Sequence, residues 1–185
     1  ALAVGDLTVD TVVNPTSGNP VASVAGSFKV NNIGSSAINV IVFIKSDLVH
    51  TTDATSKILS SAISFNPASI ASLGAGLSNT VISSVVIPQL QKPGSYTGNV
   101  EVKDGSNAHS STFQLTVVVN AAPQLSVDAF TDTNPLAIKE EQGETATGTF
   151  VIRNTGNVAL SNLELTHNIT LIDNDNDIIA LTFTG

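Results

Sequence analysis

The densest group of ligand-type side chains is "DNDND" at 173–177. Asp173, Asp175 and Asp177 alternate with Asn174 and Asn176, and all five side chains carry oxygen donors. Ca²⁺ takes about six to eight oxygens at about 2.3–2.6 Å, and closely spaced acids in one loop supply several of them. The start resembles D-x-D-x-D of an EF-hand loop, but no Gly follows at the sixth place and no Glu at the twelfth, so that loop is excluded. Two readings stand. One is a calcium site with Asp173, Asn174, Asp175 and Asp177 as ligands. The other is a solvated acidic turn between two strands.

Other groups are weaker. "KEEQGE" (139–144) brings Glu140, Glu141 and Glu144 together and reads as a solvated hairpin. "NIT" (168–170) is the one N-x-[ST] sequon, since Pro15 disqualifies "NPT", so Asn168 is the candidate glycosylation site of an exported chain. His50, His109 and His167 lie far apart, with no cysteine to complete a metal set. There is no G-x-S-x-G elbow, dinucleotide fingerprint or P-loop. The chain is expected not to be an enzyme.

The elements that would carry these residues are strands. The chain is 42% apolar, 12% charged, and rich in Val, Ile, Thr and Ser. With seven Phe, one Tyr and no Trp, the core is expected to be aliphatic. No run approaches the roughly 18 apolar residues of a transmembrane helix. The absence of cysteine removes disulfides and leaves the compartment open. Residues 1–121 hold six acids against five lysines, a net of −1; residues 122–185 hold nine acids against Lys139 and Arg153, a net of −7. An acidic chain without a basic face does not fit nucleic acid or an anionic membrane surface.

The chain repeats itself. "GSFKVNNIGSSAINVIVF" (26–43) returns as "GTFVIRNTGNVALSNLEL" (148–165), "LTVD" (7–10) as "LSVD" (125–128), and "AISF" (62–65) as "ALTF" (180–183). The order is kept and the offsets stay between 118 and 122. This is the pattern of tandem domains, 1–121 and 122–185. In the first unit strands are expected at 6–13, 24–32, 37–46, 58–65, 78–87, 96–103 and 111–119, separated by turn segments such as "QKPGS" and "KDGSN". Seven short strands at this spacing predict an all-β fold of tandem immunoglobulin-like antiparallel β-sandwiches. In "GSYTGNVEV" (94–102), Tyr96 stands where a tyrosine corner is expected, its hydroxyl bonding back to nearby backbone.

After the "NAAPQL" linker (120–125) the second unit supplies strands near 124–130, 145–154, 159–167 and 177–184. About three strands of the first unit's set then have no counterpart, so the second sandwich is incomplete in this chain. The expectation is either a piece of a longer chain or completion by another subunit through strand exchange.

"FVIRNTGNVALSNLEL" and "SSVVIPQLQKPGSYTGNVEVKDGSN" resemble a broad group of exported immunoglobulin-like domains, often archaeal, that includes CARDB-like and NEW3-like modules. The resemblance covers about half of the chain. It implies an extracellular, cell-surface setting, as in S-layer proteins. The function expected is that of a structural subunit or fragment of an S-layer or surface filament, a homo-oligomer or polymer through self-association, with Ca²⁺ as the one cofactor in view. The alternative is an adhesion or ligand-binding accessory module of a larger exported protein.

Overall fold

The computed structural model describes residues 7–9, 16–17, 22–127, 150–164, 171–172 and 178–179. The first unit builds two sheets. One has the order β1-β3-β9-β7, with β1 at Leu7–Val9, β3 at Ala22–Asn32, β9 at Ser78–Ile87 and β7 at Ile63–Asn66. The other runs β2-β11-β10-β4-β8, from β2 (Thr16–Ser17) through β11 (Ser110–Val119), β10 (Gly94–Asp104) and β4 (Ile38–Lys45) to β8 (Ser69–Leu73). All pairings are antiparallel except β2 with β11. These are the ABED and GFC sheets of an immunoglobulin-like sandwich. The chain is all-β, as its composition predicts. Among the described residues, no helix is long and apolar enough to cross a membrane.

Period-two patterning sets the faces. On β10, Tyr96, Val100, Val102 and Asp104 are buried, while Thr97, Asn99, Glu101 and Lys103 alternate with them on the wetter face. Inward residues of both sheets meet in two clusters. One joins Ile63, Val85 and Ile87 to Tyr96, Val100, Leu115 and Val117; the other joins Phe28, Val30 and Val81 to Ile38, Ile41 and Val102. Each such side chain contributes about 1.5–3 kcal/mol when fully buried.

The core is not purely aliphatic. Phe28 packs edge-on against Phe43 and Phe65, at 6.0 and 5.9 Å between centroids, and tilted against Phe113 at 4.6 Å. Phe65 and Phe113 touch both clusters, so these rings splice them into one core. A count of seven Phe does not reveal that four converge from four different strands.

The strand pattern departs from the sequence expectation in two regions. The stretch expected as one strand at 58–65 is broken by a 3-10 turn, η1, at Ser60–Ala62. Before the break runs β6 (Asp53–Ile58), which forms a hairpin with β5 (Leu48–His50); after it runs β7. β8 then crosses to the other sheet two residues beyond β7. The 159–167 strand is absent over 159–164: Asn162 has a φ of 55°, a left-handed conformation that ends an extended run.

The second unit is described at short strands. β12 (Leu125–Val127) pairs with β13 (Ile152–Asn154), Leu125 opposite Asn154 and Val127 opposite Ile152. In the first unit Leu7 faces Asn32 and Val9 faces Val30. The sequence repeat is therefore a repeat of strand register. β14 (Leu171–Ile172) pairs with β15 (Ile178–Ile179).

Candidate functional site

The best-defined polar constellation lies where the repeats join. The ladder of the first unit ends at Val119, which faces Gly94. Bonding to the second unit starts at the next residue. Asn157 Nδ2 donates to the carbonyl of Asn120 at 3.0 Å, and the amide of Ala122 donates to Asn157 Oδ1 at 2.7 Å. The amide of Asn157 donates to the Ala122 carbonyl at 3.2 Å, and the amides of Thr155 and Gly156 to the Gln124 carbonyl at 3.0 and 3.2 Å. β12 begins at Leu125. Hydrogen bonds to the second unit thus recur along the linker from Asn120 to Gln124.

Two residue types make this clamp. Asn157 offers a donor and an acceptor on one short side chain, matching a peptide carbonyl and a peptide amide. Gly156 lets the backbones touch: a Cβ there would overlap the Ala122 carbonyl and the Gln124 amide. Asn154 holds the loop in shape, accepting from the Gly156 amide at 3.0 Å and donating to the Val158 carbonyl at 2.7 Å. None of the three stands out in the sequence; the signal is "NTGN", legible as a turn.

A second network surrounds Tyr96, which is fully buried. Its hydroxyl donates to the Lys92 carbonyl at 2.7 Å and lies 2.9 Å from Ser56 Oγ, so the expected tyrosine corner is present. His50 stands edge-on to the Tyr96 ring at 4.9 Å. Its Nδ1 accepts from the Thr52 amide and its Nε2 lies 3.0 Å from the Pro93 carbonyl, so the ring brackets two loops. Gly94, at φ 137°, leaves room for it; a Cβ would run into Nε2. Beside it Lys92 pairs with Asp53 at 2.8 Å, and this ammonium, followed by the Thr55 hydroxyl and amide, holds the Asp53 carboxyl well below its ordinary range.

The third group closes the β10–β11 hairpin. Asp104 Oδ1 accepts from the Ala108 amide at 2.9 Å; Oδ2 accepts from Ser106 Oγ at 2.8 Å and lies 2.7 Å from His109 Nδ1. The His109 ring, foremost, lowers the Asp104 carboxyl from 3.8 to about 2. With Ala37, Ile38, Asn39 and Gly105, these residues line an open depression of about 420 Å³.

Asp173, Asn174, Asp175, Asp177 and Asn168 lie outside the described residues, as do Glu140, Glu141, Glu144 and His167. What is described around the acidic run is its frame: β14 and β15 pair antiparallel, so 173–177 connects the two strands of a hairpin. Among the described residues no group of three His, Cys, Asp or Glu could hold a metal ion. His50 and His109 fall at opposite ends of β10, and no site joins them.

No family model and no curated protein matches the chain. Solved structures similar to it include the PapD-like domain 7 of human CEP192, at 15% identity over 63% of this chain and 86% of that one, with a TM-score of 0.45. The Salmonella enterica SafA pilin in complex with the SafB chaperone is similar at 8% identity over 84% and 86%, with a TM-score of 0.40. A family 123 glycoside hydrolase from Clostridium perfringens is similar at 19% identity and a TM-score of 0.45; the match covers 61% of this chain but 23% of that one. At these identities and scores the likeness concerns a β-sandwich arrangement and not what the chain does.

Proposed function

We propose that this chain is a structural extracellular protein, a subunit or fragment of an S-layer or surface filament that assembles through β-sandwich domains. The observation that carries the reading is the join between repeats. Val119 belongs to the ladder of the first unit and Asn120 is already bonded to the second, so the linker has no free length in which to swivel. A rigid series of beads transmits force and sets lattice spacing; a ligand-gated or catalytic protein has no need of it. The resemblance to exported CARDB-like and NEW3-like modules agrees with this reading, as does a chain without catalytic motifs.

In this reading Asp173, Asn174, Asp175 and Asp177 bind Ca²⁺ on the β14–β15 hairpin, Asn168 carries glycan, and the partner is another copy of the chain. A bound ion stabilises the ordered state by mass action. The test is electron microscopy and sedimentation velocity on concentrated protein, with calcium and with chelator. Filaments or sheets that calcium promotes support the reading; a monomer at every concentration and calcium level contradicts it.

One observation favours a second reading, an adhesion or ligand-binding module. The depression at Asp104 and His109 lies at the end of β10 away from the linker, where the loops after β3 and β10 converge. A soluble ligand that perturbs the His109 ring resonances in NMR would favour it.

A further inference from the structure

Residues 58–91 contain no Asp, Glu, Lys, Arg or His, in a chain whose net charge is −8. They form η1, β7, β8 and β9, the side of the sandwich where the chain crosses between sheets. Leu59, Leu77, Ile82, Val86 and Leu90 are exposed along this run. It also supplies strand edges, and unpaired edges recruit further strands unless charge, lysine, proline or a bulge blunts them.

The edges on this flank differ. β6 pairs with β5 alone among the described residues, and it carries Asp53 and Lys57, with Lys92 bridged to Asp53. β7 is met by Lys45, which reaches across from β4 to donate to the Ile63 carbonyl and lies 5.8 Å from the Phe65 ring centroid. β8 pairs with β4 alone among the described residues and has no such guard. Its Ile70 and Leu73 are buried in the core, and Ser69, Ala71 and Ser72 are exposed, small and uncharged.

We propose that β8 is a docking edge, and that its occupant is β8 of a second copy, paired antiparallel about a two-fold axis centred on Ala71. The sheet β2-β11-β10-β4-β8 then continues into its counterpart. Charge selects this occupant. Two chains of net −8 repel, and an isologous contact sets one uncharged flank against the other, away from the acids of 122–185. Five residues in register span about 17 Å, enough for a short ladder, and the small side chains at 69, 71 and 72 let the backbones close. The buried Ile70 and Leu73 fix β8 on its own sandwich, so the edge is offered without unfolding.

This contact rests on the assembly reading and names one of its interfaces. The chain has no native cysteine, so Ala71→Cys gives a single reporter. Mild oxidation of that variant should join two copies by a disulfide in the associated protein, well above a Ser161→Cys control. Ser72→Lys should weaken dimerisation by about tenfold or more in sedimentation equilibrium, with an unchanged melting transition. Assembly that survives Ser72→Lys, with no preferential cross-link in Ala71→Cys, overturns the β8 contact and leaves the assembly reading standing. A β8 dimer that never grows supports the contact and overturns the lattice reading. A monomer at every concentration overturns both.

Discussion

Asn32 and Asn154, 122 residues apart, make the same two side-chain bonds. Each accepts from the amide two residues on, Gly34 and Gly156, and each donates to the carbonyl four residues on, Ser36 and Val158. Each also closes the strand that faces the first strand of its unit, at Leu7 and Leu125. Their surroundings differ. Asn32 is 1% exposed and also donates to the Leu73 carbonyl, whereas Asn154 is exposed.

Asn32→Ala should therefore cost more than Asn154→Ala. The first substitution leaves the buried Leu73 carbonyl unsatisfied, at about 1–3 kcal/mol for that group alone, while water replaces the partner of Asn154 at a cost of about 0.5–1.5 kcal/mol. Urea unfolding followed by circular dichroism checks the order. Equal losses would mean that the shared loop geometry, not burial, sets the cost.

Tyr96→Phe removes one oxygen from a fully buried ring and leaves the Lys92 carbonyl and Ser56 without it. A loss of about 1–3 kcal/mol is expected. Gly94→Ala should be worse, because it combines a left-handed φ of 137° with a collision against His50. Thermal melts of both variants test this; a Gly94→Ala protein as stable as the parent would contradict the His50 bracket.

The acid side of the stability profile should report Asp104. Its carboxyl titrates lower in the folded chain, at about 2, than its ordinary 3.8. The unfolded chain therefore takes up the proton first. The stabilisation is fully present above 3.8 and is lost as pH falls toward 2. Asp104→Asn should flatten that window. Asp53 shifts in the same direction, but its partner Lys92 is exposed, so its share should fade in high salt. Guanidinium titrations at several pH values, with and without salt, separate the two.

Much of the first unit was legible because its information is local. Strict alternation fixed β9, β10 and β11 to within two residues, and G-x-Y placed the corner of Tyr96. The β5–β6 hairpin was hidden because "LVHTTDATSKI" is polar and its place beside β10 depends on a close approach at Gly98, where a Cβ would meet the Asp47 carbonyl and Leu48. The convergence of Phe28, Phe43, Phe65 and Phe113, and the reach of His50 to Pro93, are long-range facts without a sequence period. Asp104 read as a turn residue, which it is; its burial follows from His109 closing over it. At the join, "NTGN" marked the turn, but that the turn grips the incoming linker required the register of β12 on β13.

The most direct test of the account is the stiffness of that join. Spin labels at Gln114→Cys and Ser161→Cys, both exposed positions, report the distance between the units by double electron–electron resonance. A single narrow distribution is predicted, and it should broaden in Asn157→Ala, which removes the side-chain grip on Asn120 and Ala122. A broad distribution in the parent chain, unchanged by Asn157→Ala, would mean that the repeats are strung on a hinge and would contradict the account.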